Sequence, residues 1–212
     1  HISAILALIV MVNGQDWRMM SSFTAQNVND GLLRIQDATS TVDDVMGKVG
    51  LSPVGDFMTN MALKETWAGA GYDTSATHTM GPWQIDPIKM YDIQQNIANS
   101  ETYQKRAAAI NQYMASQGYE GFDIGNMATV VKDGDSYSYG DMGEYANNPL
   151  ANAFLARLGL ASVPEQVPTA LPAQGVYWKK HWNKSGAGKA DEFVDMVQKW
   201  RPEYSTVNHG AY

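Results

Sequence analysis

The chain has 212 residues, 44% of them hydrophobic, enough to bury one substantial core with a small appendage. Its 22 acidic residues against 15 basic ones give a formal net charge of −7, and with no Lys/Arg cluster this argues against a nucleic-acid partner, whose phosphates would be repelled. Cysteine is absent, which excludes disulfides, thiolate metal sites and thiol nucleophiles.

Ile2 to Val12 is nearly continuously apolar and ends at Asn13-Gly14, too short for a bilayer span of about 20 residues. A buried helix or strand packed on the domain or on a neighbouring subunit is expected there. A membrane-active segment is the alternative, and a signal-peptide core lacks its basic flank and small-residue cleavage site. The first residue is His1, pointing to a chain that begins inside a longer protein or after processing. Gln15 to Gly50 shows no sustained periodicity, so only short helical pieces are expected, around Gly31–Ala38 and Val42–Val49. Residues 1–50 are thus read as an apolar segment and irregular helical region, and 51–212 as the main domain.

From Ser52-Pro53 onward the helix signals sharpen. Phe57, Met61 and Trp67 fall near helical spacing, placing Glu65 in the last turn of a helix that Gly69 and Gly71 end. Tyr72 to Thr79 is expected to be loop. Helices follow at Pro87–Ile97, at Glu101–Gln117 behind a Ser100 cap, and from Asn148-Pro149 to Gly159. Prolines 164, 168 and 172 suggest an extended linker before helices at Gln174–Trp182 and Ala190–Trp200. The expected fold class is mainly α-helical with at most a small β element.

The chemistry concentrates in Met61-Ala-Leu-Lys-Glu-Thr-Trp67 and Gly81-Pro-Trp-Gln-Ile-Asp-Pro87. Cleaving a glycosidic bond requires an acid that keeps its proton near neutral pH, and apolar surroundings raise a carboxyl pKa in that direction. Glu65 has such company in Met61, Trp67, Met80 and Trp83. Gly81 would let backbone approach a glycan, and Gln84 offers an amide to orient a sugar or the acid.

Met61 to Pro87 resembles the catalytic stretch of lytic transglycosylases and goose-type lysozymes, glycoside hydrolase family 23, in which a helix-borne Glu is followed after a variable loop by Gly-Leu-Met-Gln and an aliphatic residue. Glu65, Gly81, Gln84 and Ile85 match that pattern. Pro82-Trp83 replaces Leu-Met, and Thr66-Trp67 stands where Ser or Gly commonly follows the Glu. The resemblance covers about 27 residues well. It implies an α+β lysozyme-like domain with a substrate cleft over 51–212, cleaving the MurNAc-GlcNAc bond of peptidoglycan with Glu65 as general acid and base. Gly81, Trp83, Gln84 and Ile85 would contact the substrate, as would Trp182-Asn183, the counterpart of a family Tyr-Asn pair; core packing at helical spacing is the other reading of Trp182. The remote motif is of the kind phage virions carry, implying a virion-associated or exported protein acting on the cell wall in the periplasm, with residues 1–12 available to neighbouring virion subunits.

An inverting hydrolase needs a second carboxylate some distance from the acid, with water between. Asp86 and Asp73 are the candidates, although Asp86 before Pro87 also suits a helix cap. A transglycosylase needs none, since the sugar's own C6 hydroxyl attacks, and this outcome is favoured. A chitin- or chitosan-cutting enzyme and a non-catalytic structural or glycan-binding virion protein are the competing readings. No cofactor is expected. The histidines form no zinc pattern, and Asp133, Asp135, Asp141 and Glu144, spaced partly like an EF-hand, read as a solvated acidic loop.

Overall fold

The computed structural model describes residues 24–70, 78–184 and 186–204. Within them the chain is mainly helical with one small antiparallel sheet. The order is α1 Ala25–Gly47, α2 Gly55–Thr66, α3 Pro87–Asn99, α4 Glu101–Ser116, β1 Ala128–Asp133, β2 Ser136–Met142, α5 Pro149–Leu160, α6 Leu171–His181 and α7 Ala190–Trp200. Short 3₁₀ turns lie at Ile124–Asn126 and Pro202–Tyr204. Among the described residues no helix is long and apolar enough to cross a membrane. The apolar stretch Ile2 to Val12 lies outside the described residues.

One continuous helix replaces the two short pieces expected before Gly50. Val28, Leu32, Ile35, Thr39, Val42 and Met46 recur every three or four residues along α1 and are all buried, and the Thr24 hydroxyl accepts from the Asn27 amide to cap its start. Their stripe packs on α2 and α5 and belongs to the same hydrophobic core as the rest of the described chain.

The start of α2 is capped from outside. Ser52 and Pro53 precede the helix rather than open it, and the Asp43 carboxylate of α1 accepts the Val54 and Gly55 amides at 2.9 and 2.7 Å. A side chain at Gly55 would collide with that carboxylate, its Cβ falling 2.7 Å from Asp43 Oδ2. Local signals do better for α3 and α5, where Asp86 and Asn148 accept the Lys89 and Ala151 amides and proline occupies the first turn. The expected linker is shorter, because Pro172 lies inside the first turn of α6. The acidic stretch is a β-hairpin rather than a loop: Asp133 pairs with Ser136 around Gly134 at φ +58°, and Asp141 lies on β2.

Buried polar bonds staple the C-terminal helices to α2. The fully buried Asn60 donates to Gln174 of α6 at 2.8 Å and accepts from Arg201 at 2.6 Å. Arg201 also pairs with Asp56 at 3.0 Å. Breaking such a buried set leaves donors or acceptors without partners at about 1–3 kcal/mol each. The second half of the chain therefore fixes the helix that bears Glu65.

Candidate active site

Glu65 occupies the last turn of α2, as its spacing predicted, and is half-buried. Its Oε1 accepts the indole N–H of Trp178, on α6, at 2.7 Å. Oε2 has no hydrogen-bond partner among the described residues. Burial pushes the carboxyl above its ordinary value; the Trp178 N–H and the charges of Lys89 and Lys64 pull the other way and offset only part of that rise, to which the Asp86 charge adds.

Beyond Glu65 the backbone is strained. Trp67 and Ala68 both adopt left-handed conformations, at φ 55° and 57°, followed by Gly69 at 86°. Gln84, at φ 51°, is the third non-glycine residue with positive φ among the described residues. Such residues cost on the order of 1–3 kcal/mol each and concentrate at functional sites. Here Trp67 and Gln84 lie within the two segments singled out by sequence, and Ala68 directly follows the first. The turn throws the Trp67 ring against Trp200, with centroids 6.1 Å apart and planes at 78°.

Met80 to Ile85 forms a tight hairpin closed by two backbone bonds between its ends, 2.8 and 2.9 Å long. It docks on the end of α2 through the Thr66 hydroxyl, which donates to the Pro82 carbonyl at 2.9 Å. Trp83 Nε1 donates to the Met58 carbonyl and Trp182 Nε1 to the Trp83 carbonyl. The hairpin is thus fixed on the core side beside the acid. Tyr139 of β2 donates to the Ile85 carbonyl at 2.8 Å and ties the sheet to the same hairpin.

Several expected contact residues are framework instead. Trp83 and Ile85 are wholly buried, because the chain turns their side chains into the core under α2, and neither reaches a ligand. Gly81 serves the core as well: at φ +65° its Cβ would fall 2.2 Å from the buried Asn152 side chain of α5, so glycine answers packing from within rather than approach from outside. Trp182 is buried, with Lys89 Nζ 4.9 Å from its ring centroid. Asn183 follows the Trp182 cap of α6, its backbone and side-chain oxygens accepting from Lys179 at 2.9 and 3.4 Å. Asp86 is the cap of α3, and both its oxygens are engaged, one by the Lys89 amide and the other by Lys89 Nζ, each at 2.7 Å. Asp73 lies outside the described residues.

Gln84 stays accessible. It is half-exposed at the turn of the hairpin, its Oε1 accepts from Thr79 at 2.8 Å, and its amide nitrogen has no partner among the described residues. Sequence reasoning missed three residues around the acid. Trp178 is buried in the core, yet its N–H reaches Glu65 across 113 positions, a contact that helical spacing does not encode. Lys64 and Lys89 were each next to a signal, one adjoining Glu65 and the other three residues past Asp86. Comparison with protein-family models, with curated proteins and with solved structures finds no match.

Proposed function

We propose that this protein cleaves the MurNAc-GlcNAc bond of peptidoglycan, with Glu65 as the acid that protonates the bridging oxygen. The observation that carries this reading is the environment of Glu65: a half-buried carboxyl with a raised proton affinity, aimed by an indole N–H and flanked by strained backbone. A carboxyl of that kind holds its proton where an exposed one has lost it. The remote family 23 motif supplies the substrate class.

The engagement of Asp86 favours the transglycosylase route. Each oxygen of Asp86 already accepts a hydrogen bond from Lys89, which ties the carboxylate to the start of α3 and makes it a poorer water-activating base, although lone pairs remain on both oxygens. In the alternative route Glu65 gives its proton to the departing GlcNAc O4 as the MurNAc C1–O4 bond breaks. The resulting Glu65 carboxylate then takes the proton of the MurNAc C6 hydroxyl as that oxygen bonds C1, and a 1,6-anhydro sugar is left. Gln84, at the turn of the hairpin that Thr66 ties to the end of α2, is suited to hold a sugar hydroxyl or acetamido group. The setting implied is virion-associated or exported, on the cell-wall side of the bacterial membrane.

The test is to incubate purified sacculi with the protein and with Glu65→Gln, and to identify the soluble products by mass spectrometry. Anhydromuropeptides from the wild type alone are expected. Reducing-end muropeptides would replace the transglycosylase route with hydrolysis and make Asp73 the base to test. No product from either protein across pH and salt would replace the enzyme with a structural or glycan-binding role.

A further inference from the structure

We propose that Lys64 and Lys89 are specificity-determining residues that select a glycan bearing carboxylates over a neutral one, an inference that rests on glycan binding at Glu65. Lys64, adjoining the acid on α2, places Nζ 3.0 Å from Glu192 of α7 and 5.6 Å from the ring centroid of Trp178, the same indole that holds Glu65. Lys89, in the first turn of α3, places Nζ 2.7 Å from Asp86 and 4.9 Å from the Trp182 ring centroid. Two ammonium groups from different helices thus lie within electrostatic reach of the acid, each seated over a buried tryptophan.

The depth of these groups separates them from ordinary surface ion pairs. Side-chain exposure is 15% for Lys64 and 22% for Lys89, against 49% and 37% for their partners Glu192 and Asp86. The cations lie inside and the carboxylates outside. Each ammonium carries three donors, and one is used by its carboxylate, so donors remain for a ligand. Partial removal from water strengthens what they offer an anion. At long range a chain of net charge −7 repels an anionic polymer, so selection for one must come from contact.

The two candidate substrates differ in that respect. A chitin-type chain presents hydroxyl and acetamido groups only and would leave both ammonium groups without an added partner. A muramic acid residue adds an ether-linked lactyl group, and this carries a free carboxylate when the stem peptide is absent; the stem peptide adds carboxylates of its own when present. Lys64 and Lys89 thus give the site a reason to prefer peptidoglycan that the acid alone does not provide.

The experiment measures binding in the Glu65→Gln background, where neither turnover nor titration of the acid intervenes. The probes are peptidoglycan strands stripped of stem peptides, which keep free lactyl carboxylates, and a neutral N-acetylglucosamine hexamer. Lys89→Met and Lys64→Met are each expected to weaken the acidic strand about ten- to hundredfold and the neutral hexamer less than twofold, with Lys89→Arg retaining most of the affinity. Equal effects on both probes, or none on either, would overturn the proposal. If the lysine dependence holds while wild-type protein leaves sacculi intact, the cleavage reading falls and the recognition stands. If sacculi are cleaved but neither lysine discriminates, only the recognition falls.

Discussion

Replacing Gly81 by alanine tests whether the hairpin beside Glu65 is fixed from the core. The new Cβ would lie 2.2 Å from Cγ and 2.3 Å from Oδ1 of Asn152, on a backbone at φ +65°. Left-handed backbone costs an L-residue roughly 1–2 kcal/mol, offset by about 0.4–1 kcal/mol from the stiffer unfolded chain. The contact is the larger effect. Asn152 is wholly buried and donates to the Ala146 and Asn148 carbonyls at 2.7 and 2.9 Å, so making room means bending the hairpin or breaking those bonds, at about 1–3 kcal/mol. A net loss of about 3 kcal/mol is expected on these magnitudes, measured as a fall in the denaturation midpoint at unchanged slope. The double-mutant cycle with Asn152→Ala sharpens the result. Asn152→Ala removes Cγ and Oδ1 but leaves its Cβ 2.7 Å from the new one, so the collision is relieved in part and the double variant should lose at least about 1 kcal/mol less than the two single losses combined. A Gly81→Ala loss below about 1 kcal/mol, or strict additivity in the cycle, would refute the reasoning.

Other consequences follow from the same contacts. Trp178→Phe keeps an aromatic ring but deletes the donor to Glu65 Oε1, so the ionised carboxylate loses a partner and the alkaline limb of the pH–activity profile should move to higher pH; an unmoved limb would mean that the indole does not act on the acid. Because the folded-state pKa of Glu65 is raised, the native state binds more protons than the unfolded chain above the ordinary carboxylate value, and the buried acid weakens the fold as pH rises through that window. Glu65→Gln should accordingly stabilise the protein at neutral pH, with the gain shrinking as the pH falls from the raised value to the ordinary Glu value and gone below it, and a pH-independent difference in melting temperature would contradict this. Arg201→Met leaves the Asn60 oxygen and the Asp56 carboxylate without their buried partner, and a loss of about 3 kcal/mol by urea denaturation is expected; a change under about 1 kcal/mol would show that the staple carries little.

The features legible in sequence were those encoded over a few residues. Asp86 before Pro87 and Asn148 before Pro149 mark helix starts through local chemistry, and the structure has both. Glu65 in the last turn of its helix followed from apolar spacing with glycines beyond it. The misreadings share a different origin. Polar residues around Thr39 and Asp43 masked the α1 stripe, yet Thr39 is buried against Thr59 at 3.1 Å and Asp43 caps a different helix. Those roles exist only in the fold. Trp83 counted among the expected substrate contacts because it falls in the stretch that resembles family 23, but its N–H finds the Met58 carbonyl in the interior. The lysines around the acid were invisible for the same reason: each is an ordinary charged residue until helices distant in sequence bring the tryptophans beneath them.

The bond between Trp178 and Glu65 also bears on how the chain is made. The acid emerges from the ribosome 113 residues before the indole that aims it, a gap of roughly 6 to 23 s at about 5–20 residues per second. Asn60, one turn earlier, waits as long for Gln174 and longer for Arg201. An interrupted chain therefore carries the carboxyl without its orientation. Competence of the site is coupled to completion of α6 and α7, and fragments released early in translation would lack the assembled site.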